Sequence, residues 1–295
     1  MSRGYTIGRV FLTVLLSFFI AGYIFSSSAD AVLSLPALYT DIIREEKLAD
    51  KAYEALDSDF AELYNTTAVP KEVFMDAIST EWLEENMCKS IEGNIEILNG
   101  ADTLVEIDFT ALEESITSFF HEYAQSIDYE PDEAFEKKLS ETITKAEKII
   151  TDRMDAFYMN ALRENGYFNK LAKLIPYLNI VNWVTFDGAV MLAVFLVLLE
   201  RNRGWRRLYW AGTGLFCGGA MAAIPVVYLL CTGMIDSFSV KDPIIYTAVT
   251  GLLDTGAWRV LIKAMFFGIL GLVLIVLNAV FDGKNESKPE KTNEN

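Results

Sequence analysis

Apolar positions along this chain fall into two regimes: long unbroken blocks and periodic stripes. Four blocks stand out, at 10–25, 180–199, 208–231 and 257–281. The last three each hold about 20 or more largely apolar residues, enough to cross a ~30 Å hydrocarbon core as helices. The first reaches that length only when Tyr5 to Gly8 are included. It also admits a second reading. A basic start, a short apolar core and small residues at Ser28, Ala29 and Ala31 describe a cleavable signal peptide as well as a retained anchor.

Between the first two blocks the pattern turns amphipathic. Ile42, Ala49, Ala52, Leu56, Phe60 and Leu63 predict one helix, and Phe74, Ile78, Trp82, Leu83, Met87, Ile91, Ile95 and Leu98 a second after Pro70. A third opens at Thr110, where Glu113 has the spacing of a capping box, and runs through Leu112, Ile116, Phe119, Tyr123 and Ile127. A fourth begins near Pro131-Asp132 and continues past Phe135, Ile143, Ile150 and Ala161 to a stop at Asn165-Gly166. The alternating stretch 103–109 has no partner strand and reads as an extended connection. The expected fold class is therefore an all-α membrane protein. It has four transmembrane helices and an extracytoplasmic helical bundle inserted between the first and second. The boundaries are 1–27 for the anchor, 28–178 for the acidic domain, 179–283 for a three-helix membrane domain and 284–295 for a polar cytoplasmic tail.

Orientation follows from the basic residues. Arg201, Arg203, Arg206 and Arg207 crowd the short loop between the second and third blocks and mark it cytoplasmic. Arg3, Arg9, Lys284, Lys288 and Lys291 then share that side, so both termini are expected inside the cell membrane and 28–178 outside. Charge sharpens the division. The 295-residue chain carries a formal −16, while residues 28–178 alone hold 32 Asp and Glu against 13 Lys and Arg. That acidity argues against a nucleic-acid partner. Three cysteines and one histidine exclude a disulfide framework and His-rich metal sites.

Candidate chemistry is sparse. Asp187 in the second block and Arg259 and Lys263 in the fourth lie at similar depth, with Asp254 just before the fourth, and are expected to form an intramembrane charge cluster. Gly214 and Gly218 make a GxxxG pair, extended on the same face by Ala222, which predicts close helix packing within the chain or between chains. The acidic clusters 84–85, 113–114 and 128–133 lack an EF-hand loop and read as solvated helix faces. His121 has no nucleophile motif beside it, and no nucleotide or hydrolase motif occurs. No catalytic residue, metal site or cofactor is assigned.

Val69-Pro-Lys-Glu-Val-Phe74, Glu81-Trp-Leu83, the stretch 100–109 ending Ile-Asp-Phe and the arginine loop 201–207 carry a resemblance. In these the chain resembles uncharacterised bacterial membrane proteins of Gram-positive type, with an N-terminal anchor, an extracytoplasmic helical domain and three C-terminal transmembrane helices. The resemblance implies this architecture and no activity. Two functions follow as expectations. One is a non-enzymatic extracytoplasmic interaction or sensing domain on a multi-pass base. It would have the lipid bilayer and a protein partner in the membrane or envelope around it, or further copies of the chain. The alternative is an oligomeric transporter or channel component using the charge cluster.

Overall fold

The computed structural model describes residues 3–101, 106–199 and 207–286, and all regular structure in them is helical. Four helices are long and apolar enough to cross a membrane, over Thr6–Ser34, Phe168–Leu199, Leu208–Cys231 and Pro243–Phe281. They belong to α1 (Arg3–Ser34), α9 (Phe168–Leu199), α10 (Arg207–Cys231) and α11 (Pro243–Glu286). The chain divides into two units, one of residues 1–33, 173–237 and 253–295, the other of 34–172 with 238–252.

In the first unit α1 is the helix on which the other three converge. Its Leu16, Ile20 and Ile24 are at most 3% exposed. On α9, Gly188 lies against Phe19 and Phe186 against Tyr23, with ring centroids 5.2 Å apart. On α10, Gly214 and Gly218 lie against Leu16 and Ile20, and on α11 Phe267 meets Tyr23 edge-on at 5.9 Å. Lipid is as apolar as leucine, so van der Waals fit and interhelical hydrogen bonds must hold such a unit together. Ser17 supplies one of those bonds, donating to the Gly214 carbonyl at 3.1 Å. Both α1 and α9 extend beyond the apolar blocks that marked them, to Ser34 and from Phe168.

The second unit contains α2 (Pro36–Glu45), α3 (Leu48–Thr67), α4 (Lys71–Met75), α5 (Thr80–Leu98), α6 (Thr110–Ser126), α7 (Glu133–Met154) and α8 (Met159–Glu164). The residues of the periodic stripes fill its core: Leu56, Phe60, Leu83, Ile95 and Ile116 are fully buried. Each such side chain contributes about 1.5–3 kcal/mol by leaving water. Phe60 and Phe74 stack at 4.6 Å.

Three of the four expected helices are interrupted. The first breaks at Lys47, which takes a left-handed φ of 51° between α2 and α3. The second breaks at Ser79, whose side chain accepts from the Trp82 N–H and starts α5 anew. The fourth stops at Asp155, and α8 restarts after it. At the third helix the expected capping box is absent. Asp108 accepts from both the N–H and the hydroxyl of Thr110, so the cap lies two residues earlier. Of the stretch 103–109, positions 103–105 lie outside the described residues, and 106–109 have no regular structure.

Residues 238–252, which fall within the expected membrane domain 179–283, group with this second unit. Ile244 and Ala248 on the first turns of α11 are buried, at 3% and 0% exposed. Asp242 caps the helix by accepting from the Ile244 N–H at 2.9 Å, and Lys51 of α3 donates to Thr247 at 3.0 Å.

Candidate functional site

The expected charge cluster is not assembled. Lys263 donates to the Ser27 hydroxyl of α1 at 2.8 Å and is half-buried, as is Arg259. Asp187 and Asp254 are exposed, and neither makes an ion pair among the described residues. The physical reason lies on the wheel of α9. The face turned to α1 carries Thr185, Gly188, Ala189 and Leu196, and Asp187 falls on the opposite side. Equal depth in two spans did not make a contact because the helix rotation differs.

The glycines of α10 serve two neighbours. A Cβ at Gly214 would meet Leu16 at 2.6 Å, and one at Gly218 would meet Ile20 and the Ser17 carbonyl at 2.7 and 2.9 Å; Ala222 is fully buried. Gly214 and Gly218 therefore pack against α1 of the same chain. A second face, unread in the sequence, packs against α11. A Cβ at Gly219 would lie 2.6 Å from the Ala264 carbonyl, and Gly271 approaches Phe216 and Gly212 backbone to backbone. Arg201, Arg203 and Arg206 lie outside the described residues, and Arg207 is the first residue of α10.

Sequence reasoning missed the site that the second unit assembles. Tyr64 at the end of α3, Phe119, Phe120 and Tyr123 of α6, Tyr129 in the turn that follows, and Phe135 of α7 converge on a cavity of 550 Å³. That volume lies within the range of small-ligand sites, about 300–1,000 Å³. Phe119 and Tyr123 stack at 6.3 Å, and Phe120 meets Phe135 edge-on at 5.8 Å. Tyr64 and Tyr123 are more than half exposed, so their hydroxyl ends face solvent at the mouth. Lys138 is the one charged residue among those that line it. Asp132 caps α7 through the Phe135 N–H at 2.9 Å; its bond with the Tyr129 hydroxyl raises that phenol above its usual range. In the sequence Phe119, Tyr123 and Phe135 read as members of helix stripes, and Tyr64, Phe120 and Tyr129 have no assigned place. Only the fold brings Tyr64 to rings that lie far along the chain.

Two further polar arrangements are structural. Arg153 at the end of α7 binds Asp59 through Nε at 2.6 Å and Nη2 at 2.9 Å, and Asp242 through Nη1 at 2.8 Å. Two residues on, Asp155 accepts from the N–H groups of Met159, Asn160 and Ala161 at 2.7, 3.0 and 3.3 Å, covering the orphan donors of α8. Burial nevertheless pushes the Asp155 carboxyl up to about 6, the three N–H donors opposing it. A carboxyl raised on folding favours the native state below its unfolded value near 3.9, and that contribution is lost as pH rises through 6. We expect Asp155→Asn to flatten this dependence. Relative to the variant, the native chain should lose roughly 2 kcal/mol between pH 4 and pH 6.5, read from denaturation midpoints at each pH. Equal slopes in the two proteins would refute the assignment.

Cys88 is buried, and that burial pushes its thiol above the usual range, as for an inert structural cysteine. Among the described residues no three His, Cys, Asp or Glu side chains gather in a way that could hold a metal ion. Comparison with protein-family models, with curated proteins and with solved structures returns no match for this chain.

Proposed function

We propose that the chain is an integral multi-pass cell-membrane protein whose acidic helical unit stands on the extracytoplasmic side as a non-enzymatic interaction or sensing module. The observation that carries this reading is the aromatic cavity between α3, α6 and α7. Six rings, all but the buried Phe120 partly open to solvent and two of them tyrosines at the mouth, match the composition of recognition surfaces, where tyrosine supplies rigid contact area and a hydroxyl. Exposed carboxylates of Asp128, Glu130, Asp132 and Glu133 adjoin it in sequence on the α6–α7 turn, in a region of strong net negative charge. The favoured occupant is thus an apolar or aromatic group presented by a positively charged partner. The four arginines of the 201–207 loop support the cytoplasmic assignment of that loop, and hence the outward position of the acidic unit.

A photoreactive phenylalanine in place of Tyr123 tests the reading in the intact membrane. It should give a discrete adduct, weakened at least tenfold by Tyr64→Ala with Phe135→Ala, and absent when the probe replaces exposed Ser58 on another face. An adduct insensitive to the two alanines, or none at all, would overturn the assignment of the cavity. The transport alternative draws on Asp187, Arg259, Lys263 and Asp254; Arg259 and Lys263 are neighbours on α11, whereas Asp187 lies on the side of α9 opposite the face packed on α1.

A further inference from the structure

Asp187 presents an unusual situation for an ionisable side chain within a span. It lies seven residues beyond Ile180, where the apolar block of α9 begins, which places it about 10 Å into the block at 1.5 Å per residue. It lies on the side of α9 opposite the face packed on α1 and is exposed. Ionisable residues inside spans almost always face other protein or a water-filled cavity, because lipid offers them no partner. The residues around Asp187 form a regular seam. Ile180, Val184, Met191, Val194 and Leu198 share its face and are each at least 52% exposed. With Asp187 they follow spacings of four, three, four, three and four. That is the a/d repeat by which one helix receives the knobs of another along a left-handed crossing.

We propose that this face of α9 is the docking surface for a transmembrane helix of a second protein, carrying a lysine or arginine at the depth of Asp187. The apolar seam would supply packing, which any helix of matching repeat can use. The carboxylate decides the partner. Within the seam it is the only charged group, so a cation opposite it completes an intramembrane ion pair. A second copy of this chain in the same orientation would instead set the two Asp187 carboxylates against each other, a like-charge repulsion with no cation between them. The inference does not rest on the aromatic cavity, which belongs to another unit.

The test uses the full chain reconstituted in phosphatidylcholine vesicles, labelled with a donor fluorophore. Acceptor-labelled leucine-alanine transmembrane peptides carry either one lysine or a leucine at the depth of Asp187. The lysine peptide should associate at least tenfold more strongly than the leucine peptide. Asp187→Leu should abolish that preference while Asp187→Glu keeps it. Asp254→Asn, a change outside the seam, should leave it intact. Equal association of the two peptides would overturn the proposal. So would a preference that survives Asp187→Leu, or energy transfer between differently labelled copies of the chain that persists without peptide and is lost in Asp187→Leu.

Discussion

Replacing Gly219 or Gly271 with alanine will destabilise the membrane unit by roughly 1–3 kcal/mol each, the usual range for overpacking. The same change at Gly268 will be nearly silent. All three glycines lie where α10 and α11 run close together, so the contrast separates a steric requirement from a general preference for small residues. A methyl group on Gly219 would sit 2.6 Å from the Ala264 carbonyl and 2.8 Å from the Gly268 nitrogen. On Gly271 it would press on the backbone of Phe216 and the Gly212 carbonyl. These are backbone atoms, so no rotamer change relieves the clash, and the helices must separate along the seam. On Gly268 the methyl group meets nothing within 4 Å. Thermal unfolding of the detergent-solubilised protein, followed by circular dichroism, should rank Gly268→Ala near wild type and the other two well below it. A double variant should lose little beyond either single one, because the first substitution has already opened the seam. If Gly268→Ala is as damaging as Gly219→Ala, the close approach of α10 and α11 is wrong.

How much of this was legible beforehand depends on what each residue had to meet. The four apolar blocks could be read directly, since crossing hydrocarbon demands only length and uniform hydrophobicity. The stripes of the second unit were also plain, because Leu56, Phe60, Leu83 and Ile116 carry their burial in their spacing. The breaks at Lys47 and Asp155 were not. No proline or glycine marks either, and the apolar stripe continues in register across both, so the pattern reads as one helix. Contacts between distant elements were harder still. Gly214 and Gly218 announced a packing face, but Gly219 and Gly271 require two spans to be set in register. Asp187 and Lys263 share a depth, yet helix rotation, invisible in a hydropathy pattern, turns one to α1 and the other away. Tyr64 and Tyr123 join a cavity only once α3 ends beside α6. Likewise, nothing in the composition of 233–256 shows that Asp242 will meet an arginine almost ninety residues earlier.

That arginine carries the second large effect. Arg153→Ala should cost roughly 2–3 kcal/mol, below the 3–5 kcal/mol of fully buried ion pairs because the three side chains keep about a quarter to a third of their exposure. Removing the guanidinium leaves Asp59 and Asp242 without the cation that both of them bind, in a strongly acidic unit. Two effects add: the loss of a bidentate, charge-assisted pair and a new carboxylate repulsion. Arg153→Lys should recover only part of the loss, since one ammonium on a flexible stem cannot reproduce the fork that holds Asp59 with two nitrogens and Asp242 with the third. Lys71→Ala supplies the reference. Its ion pair with Asp57 is 2.7 Å long but more exposed, and removing it should cost much less than removing Arg153. The decisive readout is local. Because Arg153 fastens the residues that open α11, amide exchange at 243–248 should accelerate at least tenfold in Arg153→Ala and remain slow in Lys71→Ala. Should exchange there stay slow while global stability falls, Arg153 would matter to α3 and α7 alone, and the start of α11 would be held by Ile244 and Ala248 in the core.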